Sequence, residues 1–488
     1  MTMNSMDRRH FLGCSLALPA VAGIGSVAIA NPAATTDIVL VREILTTLHP
    51  GLYRYSSPAE IDAGLTRLER QWAAQPDLSS RYLNLSRFLA AIKCGHSYAN
   101  FYNQSDAVKA QLFAGKTRLP FAFKWIGADM VVLQDQSGTA SLPLGTVVKA
   151  INGVRARDIL ARLLPYARAD GNNDDKRRAL LSVTGADEFE TFDIFYGLLY
   201  GAPKGGEHRI RIRTPGATRD RSLITPALTL EQRRAFIKKA DNRGDTPSWE
   251  WTIRDDGIAV LQMDSWGLFN SKWDWTSWLS DRLDSLQGAK GLIVDIRENE
   301  GGLDCGDLIL SRLASTDIVI PATRQLVRYR KTPEHLDRYL DTWDKSFRNW
   351  GDNAVEFDDR FYRLKRGGDG VISAKAPRIT VPVAVLTSAQ NSSATFRFAS
   401  LCKSSGLATL VGEATGGNQR GINGGSFFFA RLPESGLEFD VPLIGYFPDR
   451  DMPDAGIEPD ILVKTSAKTI AGTSDPQTDA AIRNLLRK

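Results

Sequence analysis

The chain has 488 residues, of which 43% are hydrophobic and 24% charged, and this is the composition of a soluble globular protein. Its length predicts roughly two to four domains. The formal net charge of +5 arises from interspersed charges, so the composition indicates neither disorder, nor a membrane-spanning architecture, nor a nucleic-acid-binding surface.

The N-terminus has the pattern of a secretory signal. Arg8 and Arg9 precede an uncharged, mostly apolar segment that ends in an Ala-x-Ala pattern at Ala30. This order predicts a twin-arginine-type signal peptide over residues 1–30, export after folding, and a periplasmic or secreted protein. The alternatives are a buried N-terminal helix and a membrane anchor, but the apolar run is short and glycine-rich for a membrane span.

Residues 31–112 predict an N-terminal helical domain. Asp77 is a candidate helix start, and apolar residues from Leu85 to Ile92 follow the i, i+3, i+4, i+7 spacing of an amphipathic helix. Gly95 is placed to end that helix in a left-handed conformation. His96 would then begin the following loop.

Short strand patterns follow in residues 113–168. They are separated by turn signals such as Asn152-Gly153, and together they predict a small β-rich module. Residues 169–247 are polar and predict only a connecting segment.

From residue 248 to residue 466, strand and helix patterns alternate. Apolar strands such as Gly291–Ile296 and Val383–Leu386 are typical of a sheet that is covered on both faces. The β-α-β-α order predicts an α/β core with right-handed crossovers. Residues 467–488 predict a C-terminal tail.

Two loops of this predicted core carry candidate chemistry. The first ends in Gly301 and Gly302, whose bare backbone can present N–H groups to an oxyanion. The second places Ser393 at a strand-to-helix junction, with the amide of Ala394 beside it. The ordinary alternatives are a glycine-rich turn for the first loop and a helix N-cap role for Ser392 or Ser393 in the second.

Four motifs in this region resemble those of the tail-specific, or C-terminal processing, proteases. They are residues 291–302 (Gly-Leu-Ile-Val-Asp-Ile-Arg-Glu-Asn-Glu-Gly-Gly), 393–395 (Ser-Ala-Thr), 411–417 (Val-Gly-Glu-Ala-Thr-Gly-Gly) and 456–461 (Gly-Ile-Glu-Pro-Asp-Ile). The resemblance implies a ClpP/crotonase-like spiral for the α/β core, a PDZ-like domain for the β-rich module, and a serine peptidase with Ser393 as nucleophile. It is weak between about residues 170 and 244.

The resemblance also bears on the general base. The processing branch of the family uses a lysine 25 residues after the nucleophile, and Asn418 occupies that position here. An amide cannot take up a proton at working pH. The tricorn branch instead uses a histidine from the N-terminal region, and His96 lies in the corresponding place, so His96 is the predicted base.

The partner that orients this histidine is less clearly marked. In the tricorn branch, a serine just before the histidine and a distant glutamate orient the ring, but Gly95 stands at that preceding position here. Ser97 is a possible substitute, and Asp454 or Glu458 is a possible acidic end of the relay.

The cysteines predict neither a disulfide framework nor a metal site. Cys14 leaves with the predicted signal, while Cys94, Cys305 and Cys402 are far apart and odd in number. No phosphate-binding loop is present in the sequence either, so we expect no cofactor and no metal. Cys94 is a rival nucleophile beside His96, but its sequence context does not activate a thiol.

These patterns predict an exported serine endopeptidase that acts on peptide or protein substrates. His96 would deprotonate Ser393, and the amides of Ala394 and of Gly301 or Gly302 would hold the oxyanion. The main alternative is a non-catalytic relative that binds peptides or apolar ligands on the same fold. A carboxylesterase of the α/β-hydrolase type is a third class, but the chain lacks its Gly-x-Ser-x-Gly elbow at Ser393.

Overall fold

The computed structural model describes residues 37–139, 141–185, 187–237, 244–365, 370–472 and 474–487. The predicted signal peptide, with its arginine pair and Cys14, lies outside these residues. In the described part of the chain, no helix is long and apolar enough to cross a membrane.

Helices form the N-terminal region, as its sequence pattern predicts. They are α1 (Asp37–Leu48), α2 (Pro58–Ala74), α3 (Leu78–Ala91) and α4 (Asp106–Phe113). The predicted start of α3 at Asp77 is confirmed, because the Asp77 carboxylate accepts a hydrogen bond from the backbone N–H of Ser80. This capping bond satisfies one of the backbone donors left open at the first turn.

The end of α3 differs from the prediction. Lys93, rather than Gly95, has the left-handed backbone conformation, with φ of 61°. Gly95 is needed for another reason, because a Cβ atom at this position would lie 2.8 Å from Oδ2 of Asp170. The missing side chain lets the Asp170 carboxylate reach the backbone directly before His96.

An antiparallel sheet of six strands follows the helical region. Its strands are β1 (Phe121–Ile126), β2 (Asp129–Asp135), β3 (Val147–Ile151), β4 (Val154–Arg155), β5 (Glu207–Arg213) and β6 (Arg221–Pro226). The order is β1-β2-β3-β5-β6, with β4 paired to β3 through the predicted Asn152-Gly153 turn. Strands β5 and β6 come from the segment that was expected to be a connection, so this sheet continues past the predicted boundary at residue 168.

Helices surround this antiparallel sheet. They are α5 (Ala156–Leu163), α6 (Asp174–Leu180), α7 (Thr191–Tyr200) and α8 (Leu230–Arg234). Helix α6 carries Lys176. The side chain of Lys176 contacts two loops of the α/β core, at Glu300 and at Gln390.

The α/β core is built on a second six-stranded sheet. Its strands are β7 (Glu250–Ile253), β8 (Ile258–Gln262), β9 (Gly291–Asp295), β16 (Val383–Thr387), β17 (Thr409–Gly412) and β20 (Ile461–Leu462). The order is β20-β17-β16-β9-β8-β7, and all pairs are parallel except that of the edge strand β7. The predicted alternation of strands and helices is confirmed in this sheet.

Helices cover both faces of the parallel sheet. One face carries α9 (Trp275–Asp284), α10 (Gly306–Leu313) and α11 (Ser393–Ser405). After the short α12 (Ala467–Ala471), α13 (Pro476–Leu485) packs on the other face, where Ala481 is fully buried. The segment predicted as a tail is therefore part of the core.

The remaining strands form two further sheets. A pair consists of β10 (Ile318–Val319) and β15 (Val371–Ile372). The larger sheet contains β11 (Thr323–Val327), β12 (Leu340–Asp341), β13 (Ala354–Glu356), β14 (Tyr362–Leu364), β18 (Asn423–Arg431) and β19 (Glu438–Pro448), in the order β12-β18-β19-β11-β14-β13. It holds the loop after α3, because the Asp440 N–H donates to the Tyr98 carbonyl at 3.0 Å.

Candidate active site

The candidate nucleophile sits at the carboxyl end of the parallel sheet. Ser393 begins α11 directly after the loop that follows β16, and its φ of 50° lies in the left-handed region that side chains other than glycine rarely adopt. Strained backbone of this kind gathers at functional sites. Of the two serines considered as an N-cap, Ser392 occupies the N-cap position of α11 and makes no side-chain capping bond, whereas Ser393 is the first residue of the helix.

The loop that carries Ser393 is bound to the neighbouring loop after β9. Nδ2 of Asn391 and Oγ1 of Thr395 both donate to the Asn299 carbonyl, at 3.0 and 3.1 Å. Oγ of Ser392 donates to the Glu300 carbonyl at 3.1 Å. These bonds fix the two predicted loops as one unit, because the strands β9 and β16 are direct neighbours in the sheet.

The first of the paired glycines, Gly301, lies against the candidate nucleophile, whereas Gly302 lies against the Trp266 backbone. Gly301 and Gly302 have φ of 118° and 140°, and a Cβ atom on Gly301 would be 3.0 Å from Cβ of Ser393. The Gly301 N–H already donates to Oδ1 of Asn299 at 2.9 Å. The Ala394 amide belongs to the first turn of α11, where backbone donors have no partner within the helix.

The predicted base lines a small cleft that reaches this unit. His96 is half-buried and shares the cleft with Arg168, Asp170, Lys176 and Ser392. Its Nδ1 is buried and has no hydrogen-bond partner within the part of the chain that the structure describes. Among the described residues no hydrogen bond joins His96 to Ser393, and the cleft reaches Ser392, the residue before the candidate nucleophile.

Aromatic packing holds the other side of this imidazole. The ring of Phe427 on β18 lies 5.8 Å from the His96 ring, measured between centroids. A Cβ atom on Gly424 would lie 3.9 Å from Cε1 of His96. The ring is thus held by contacts to β18 rather than by a polar partner at Nδ1.

The electrostatic surroundings favour a neutral imidazole. Burial is the largest influence and lowers the pKa of His96 below its usual value. The nearby charge of Asp170 opposes this shift, as does that of Glu300, whereas Arg168 and Lys176 act in the same direction as burial. A neutral imidazole is the form that can accept the proton of a serine hydroxyl.

The structure does not bring the predicted orienting residues to His96. The Ser97 hydroxyl is 2.8 Å from Nε2 of His49. Glu458 is exposed, and Asp454 accepts hydrogen bonds from Asn172 and Asn418 instead.

The side chain of Asn418, which the resemblance aligns with the processing-branch lysine, is hydrogen-bonded within the protein at both ends of its amide. Its side chain is fully buried and donates to Oδ1 of Asp454 at 2.7 Å, while its Oδ1 accepts from the Arg420 N–H at 2.9 Å. Although burial raises the pKa of Asp454, the hydrogen bonds from Asn172 and Asn418 lower it below its usual value. The side chain of Asn418 therefore supports a carboxylate and is not available to a substrate.

Several site residues were missed by the sequence analysis. The Asp170 carboxylate accepts the Gly95 N–H at 2.8 Å, and Arg168 donates to the Gly95 carbonyl at 2.7 Å. Lys176 and Arg168 both pair with Glu300, the residue before the glycine pair. Three of these four residues lie in or beside the segment predicted as a connection, where polar composition gave no indication of a site.

Cys94 does not behave as a nucleophile. It is buried, and burial raises the pKa of its thiol. Its sulfur accepts a hydrogen bond from Nδ2 of Asn423 at 3.3 Å. Cys305 and Cys402 are also buried free thiols. No group of three or more metal-binding side chains is present among the residues that the structure describes.

The fold and site therefore define an α/β domain with a strained serine above the ends of two parallel strands. Residues 257–463 match the model of peptidase family S41, and this match supports a serine peptidase. Comparison with curated protein sequences gives no match.

Solved structures support the same fold. Mature CPAF complexed with lactacystin is similar over 92% of this chain and 97% of that chain, with a TM-score of 0.62 and 14% identity. Mature CPAF alone gives a TM-score of 0.59 and 15% identity over the same shares of 92% and 97%. At this identity the likeness concerns the fold.

Proposed function

We propose that the protein is an exported serine endopeptidase that forms an acyl-enzyme at Ser393 and uses His96 as its general base. The observation that carries the proposal is the conformation of Ser393, whose positive φ occurs at a strand-to-helix turn with Gly301 directly against its Cβ. A plain helix N-terminus needs neither the strain nor the bare glycine.

The chemistry follows from these positions. The Ser393 oxygen attacks the carbonyl carbon of a peptide bond while its proton passes to His96, which is neutral because burial lowers its pKa. His96 then protonates the leaving amine, and the C–N bond breaks. Water, deprotonated by the same imidazole, hydrolyses the ester and restores Ser393.

The oxyanion of the tetrahedral intermediate needs two backbone donors. The Ala394 amide is one, because it opens α11 beside the nucleophile. The second is the Gly302 amide in this proposal, since the Gly301 N–H is already bound to Asn299.

In this proposal the general base is His96 and not a side chain at position 418. This assignment is supported by the cleft that His96 shares with Ser392, and by the use of the Asn418 side chain in a structural hydrogen bond. Binding of a peptide would bring His96 and Ser393 into hydrogen-bond contact, since catalytic hydrogen bonds are often long without substrate and shorten in the complex.

A fluorophosphonate probe tests the proposal on the mature protein. Wild type should be labelled, while Ser393→Ala and His96→Ala should lose the label. Ser404→Ala is a matched control that should keep the label, because Ser404 lies on the same helix as Ser393 but is exposed. Labelling of Ser393→Ala at the wild-type rate would refute the proposal.

A non-catalytic peptide-binding relative is the second candidate. The observation in its favour is that no side chain among the described residues orients His96 at Nδ1, which is buried and makes no hydrogen bond to them. Such a protein would bind peptides but would not take up the probe, even when a peptide is added to close the site.

Two finer interpretations belong to the proposal. The antiparallel sheet β1–β6 is a PDZ-like module, and the α/β core is of the ClpP/crotonase-like spiral type. Export rests on the arginine pair and the apolar segment after it. A double substitution of Arg8→Lys and Arg9→Lys should retain the protein inside the cell, and unchanged export would refute a twin-arginine signal.

A further inference from the structure

The cleft beside His96 contains a cluster of charges that the mechanism does not use. The carboxylate of Glu300 pairs with Nη1 of Arg168 at 3.1 Å and with Nζ of Lys176 at 2.9 Å. The side chain of Lys176 is only 3% exposed. Burying a lysine is costly unless it is paired, so this arrangement needs Glu300 to be stable.

Each cation of the cluster also binds a different catalytic loop. Arg168 donates to the carbonyl of Gly95, the residue before His96, at 2.7 Å. Its guanidinium lies over the ring of Tyr98 at 4.5 Å from the centroid. Arg168 therefore contacts the chain on both sides of His96, at Gly95 and at Tyr98.

Lys176 makes the equivalent contact with the nucleophile loop. Its Nζ donates to the carbonyl of Gln390 at 2.9 Å, three residues before Ser393. Glu300 itself precedes Gly301, and its carbonyl accepts the Ser392 hydroxyl at 3.1 Å. The cluster thus touches all three segments that the proposed mechanism requires.

We propose that Glu300 is a positioning residue which, through Arg168 and Lys176, holds the loops of His96, of Gly301 and of Ser393 in one arrangement. This inference rests on the proposed function for its catalytic meaning. Glu300 acts through its neighbours and does not touch the reacting atoms.

The charges agree with this role. Burial raises the pKa of the Glu300 carboxyl, but Arg168 and Lys176 outweigh it and hold the pKa well below its usual range. Burial lowers the pKa of Lys176, and Glu300 opposes that shift. The carboxylate form of Glu300 and the charged form of Lys176 therefore stabilise each other.

The same cluster sets the field at the imidazole. The charged groups that act on His96 are Asp170, Arg168, Glu300 and Lys176. Removing the negative charge of Glu300 leaves two cations near His96 and lowers its pKa. Removing the positive charge of Lys176 raises that pKa instead. Opposed shifts in the two variants would show that both charges lie close to His96 in the folded protein, and the labelling rate then tests the positioning role.

The test uses Glu300→Gln, Lys176→Met and the double variant, each in the full mature chain. The pKa of His96 is measured by NMR titration of the histidine side chains, with His96→Ala to assign its signal. We expect a lower His96 pKa in Glu300→Gln and a higher one in Lys176→Met. Glu334→Gln is the matched control, because Glu334 forms a 2.8 Å pair with Lys331 at an exposed site.

The rate of fluorophosphonate labelling is measured on the same variants. Each single substitution should lower the rate about tenfold or more, since small displacements of catalytic groups cost up to about 100-fold. The double variant should lose much less than the product of the single losses, because the residues act as a unit. The inference would be overturned if the His96 pKa did not move or moved equally in the two single variants. It would also be overturned if the rate loss of the double variant equalled the product of the two single losses.

The two proposals fail in different ways. Absence of Ser393-dependent labelling in wild type would refute the proposed function, while the opposed pKa shifts would still establish the coupling of Glu300 and Lys176 to His96. Normal labelling of wild type and of both variants, with unmoved pKa values, would refute the role of Glu300 alone. Thermal unfolding of each variant shows whether it is folded, and Glu300→Asp, which keeps the charge, should recover part of the labelling rate.

Discussion

The side-chain amide of Asn418 donates a 2.7 Å hydrogen bond to the carboxylate of Asp454. The same amide approaches the Asp170 carbonyl at 3.3 Å, so it joins the chain near His96 to the loop before β20. Asn418, which the resemblance aligns with the processing-branch lysine, is therefore part of the scaffold behind the candidate site.

Asn418→Ala should destabilise the protein rather than remove its chemistry. The substitution removes a fully buried side chain, takes the acceptor from the N–H of Arg420 and takes one donor from the carboxylate of Asp454. Such unsatisfied groups cost about 1–3 kcal/mol. Urea unfolding measures the loss, and the exposed Asn353→Ala serves as the control. If Asn418→Ala instead abolished labelling at full stability, Asn418 would belong to the catalytic machinery.

The pH dependence of the fluorophosphonate labelling rate should show that His96 stays neutral at a lower pH than an ordinary histidine. The imidazole is active only when it is unprotonated, so the rate falls as the pH drops through the His96 pKa. Because burial lowers this pKa, the half-maximal point should lie below the ordinary value of about 6.5. Rate constants for the fluorophosphonate between pH 4.5 and 8.5 would show this limb, and a half-maximal point above 6.5 would contradict the buried environment.

Gly95→Ala should impair the site although it adds a single methyl group. The new Cβ would lie 2.8 Å from Oδ2 of Asp170, whose carboxylate also accepts the Gly95 N–H. The carboxylate or the His96 loop must shift, and we expect the labelling rate to fall at least about tenfold. Gly472→Ala is the control, because its Cβ would have no neighbour closer than 3.6 Å. Equal rates in both variants would show that the contact is unimportant.

The α/β core could be predicted from sequence because its signals are local. Strands such as β9 and β16 are continuous apolar runs, and the loops after them carry the glycine pair and Ser393 where parallel strands end. The resemblance indicated the candidate nucleophile and drew attention to Asn418. These features need no knowledge of distant contacts.

The rest of the site depends on contacts between distant segments. Glu207 to Arg213 form β5 with strict inward and outward alternation, but arginines dominate the outer face and the segment reads as polar. Asp170 and Lys176 meet His96 and Glu300 only through tertiary packing. The partners of Ser97 and Asp454 were equally hidden, since His49 and Asn172 lie 48 and 282 residues away in the chain.

His49 should make the protein sensitive to acid. It is buried with Nε2 2.8 Å from Oγ of Ser97, and burial lowers its pKa to about 3, with Arg54 acting in the same direction. The unfolded chain binds a proton near pH 6.5, whereas the folded chain does not until about pH 3. The contribution of His49 to the free energy of unfolding is therefore fully present above pH 6.5. It is lost as the pH decreases, by at most about 1.4 kcal/mol per pH unit.

The variant His49→Gln lacks this proton uptake, so its free energy of unfolding should depend less on pH than that of wild type. Denaturant unfolding at pH 7, 6, 5 and 4 measures the free energy of unfolding of both proteins. The advantage of wild type over His49→Gln should shrink or reverse toward low pH. His335→Gln, at a histidine whose side chain is 62% exposed, controls for the loss of an imidazole as such. Parallel pH curves for wild type and His49→Gln would mean that His49 is protonated in the folded protein, or that it remains accessible to water.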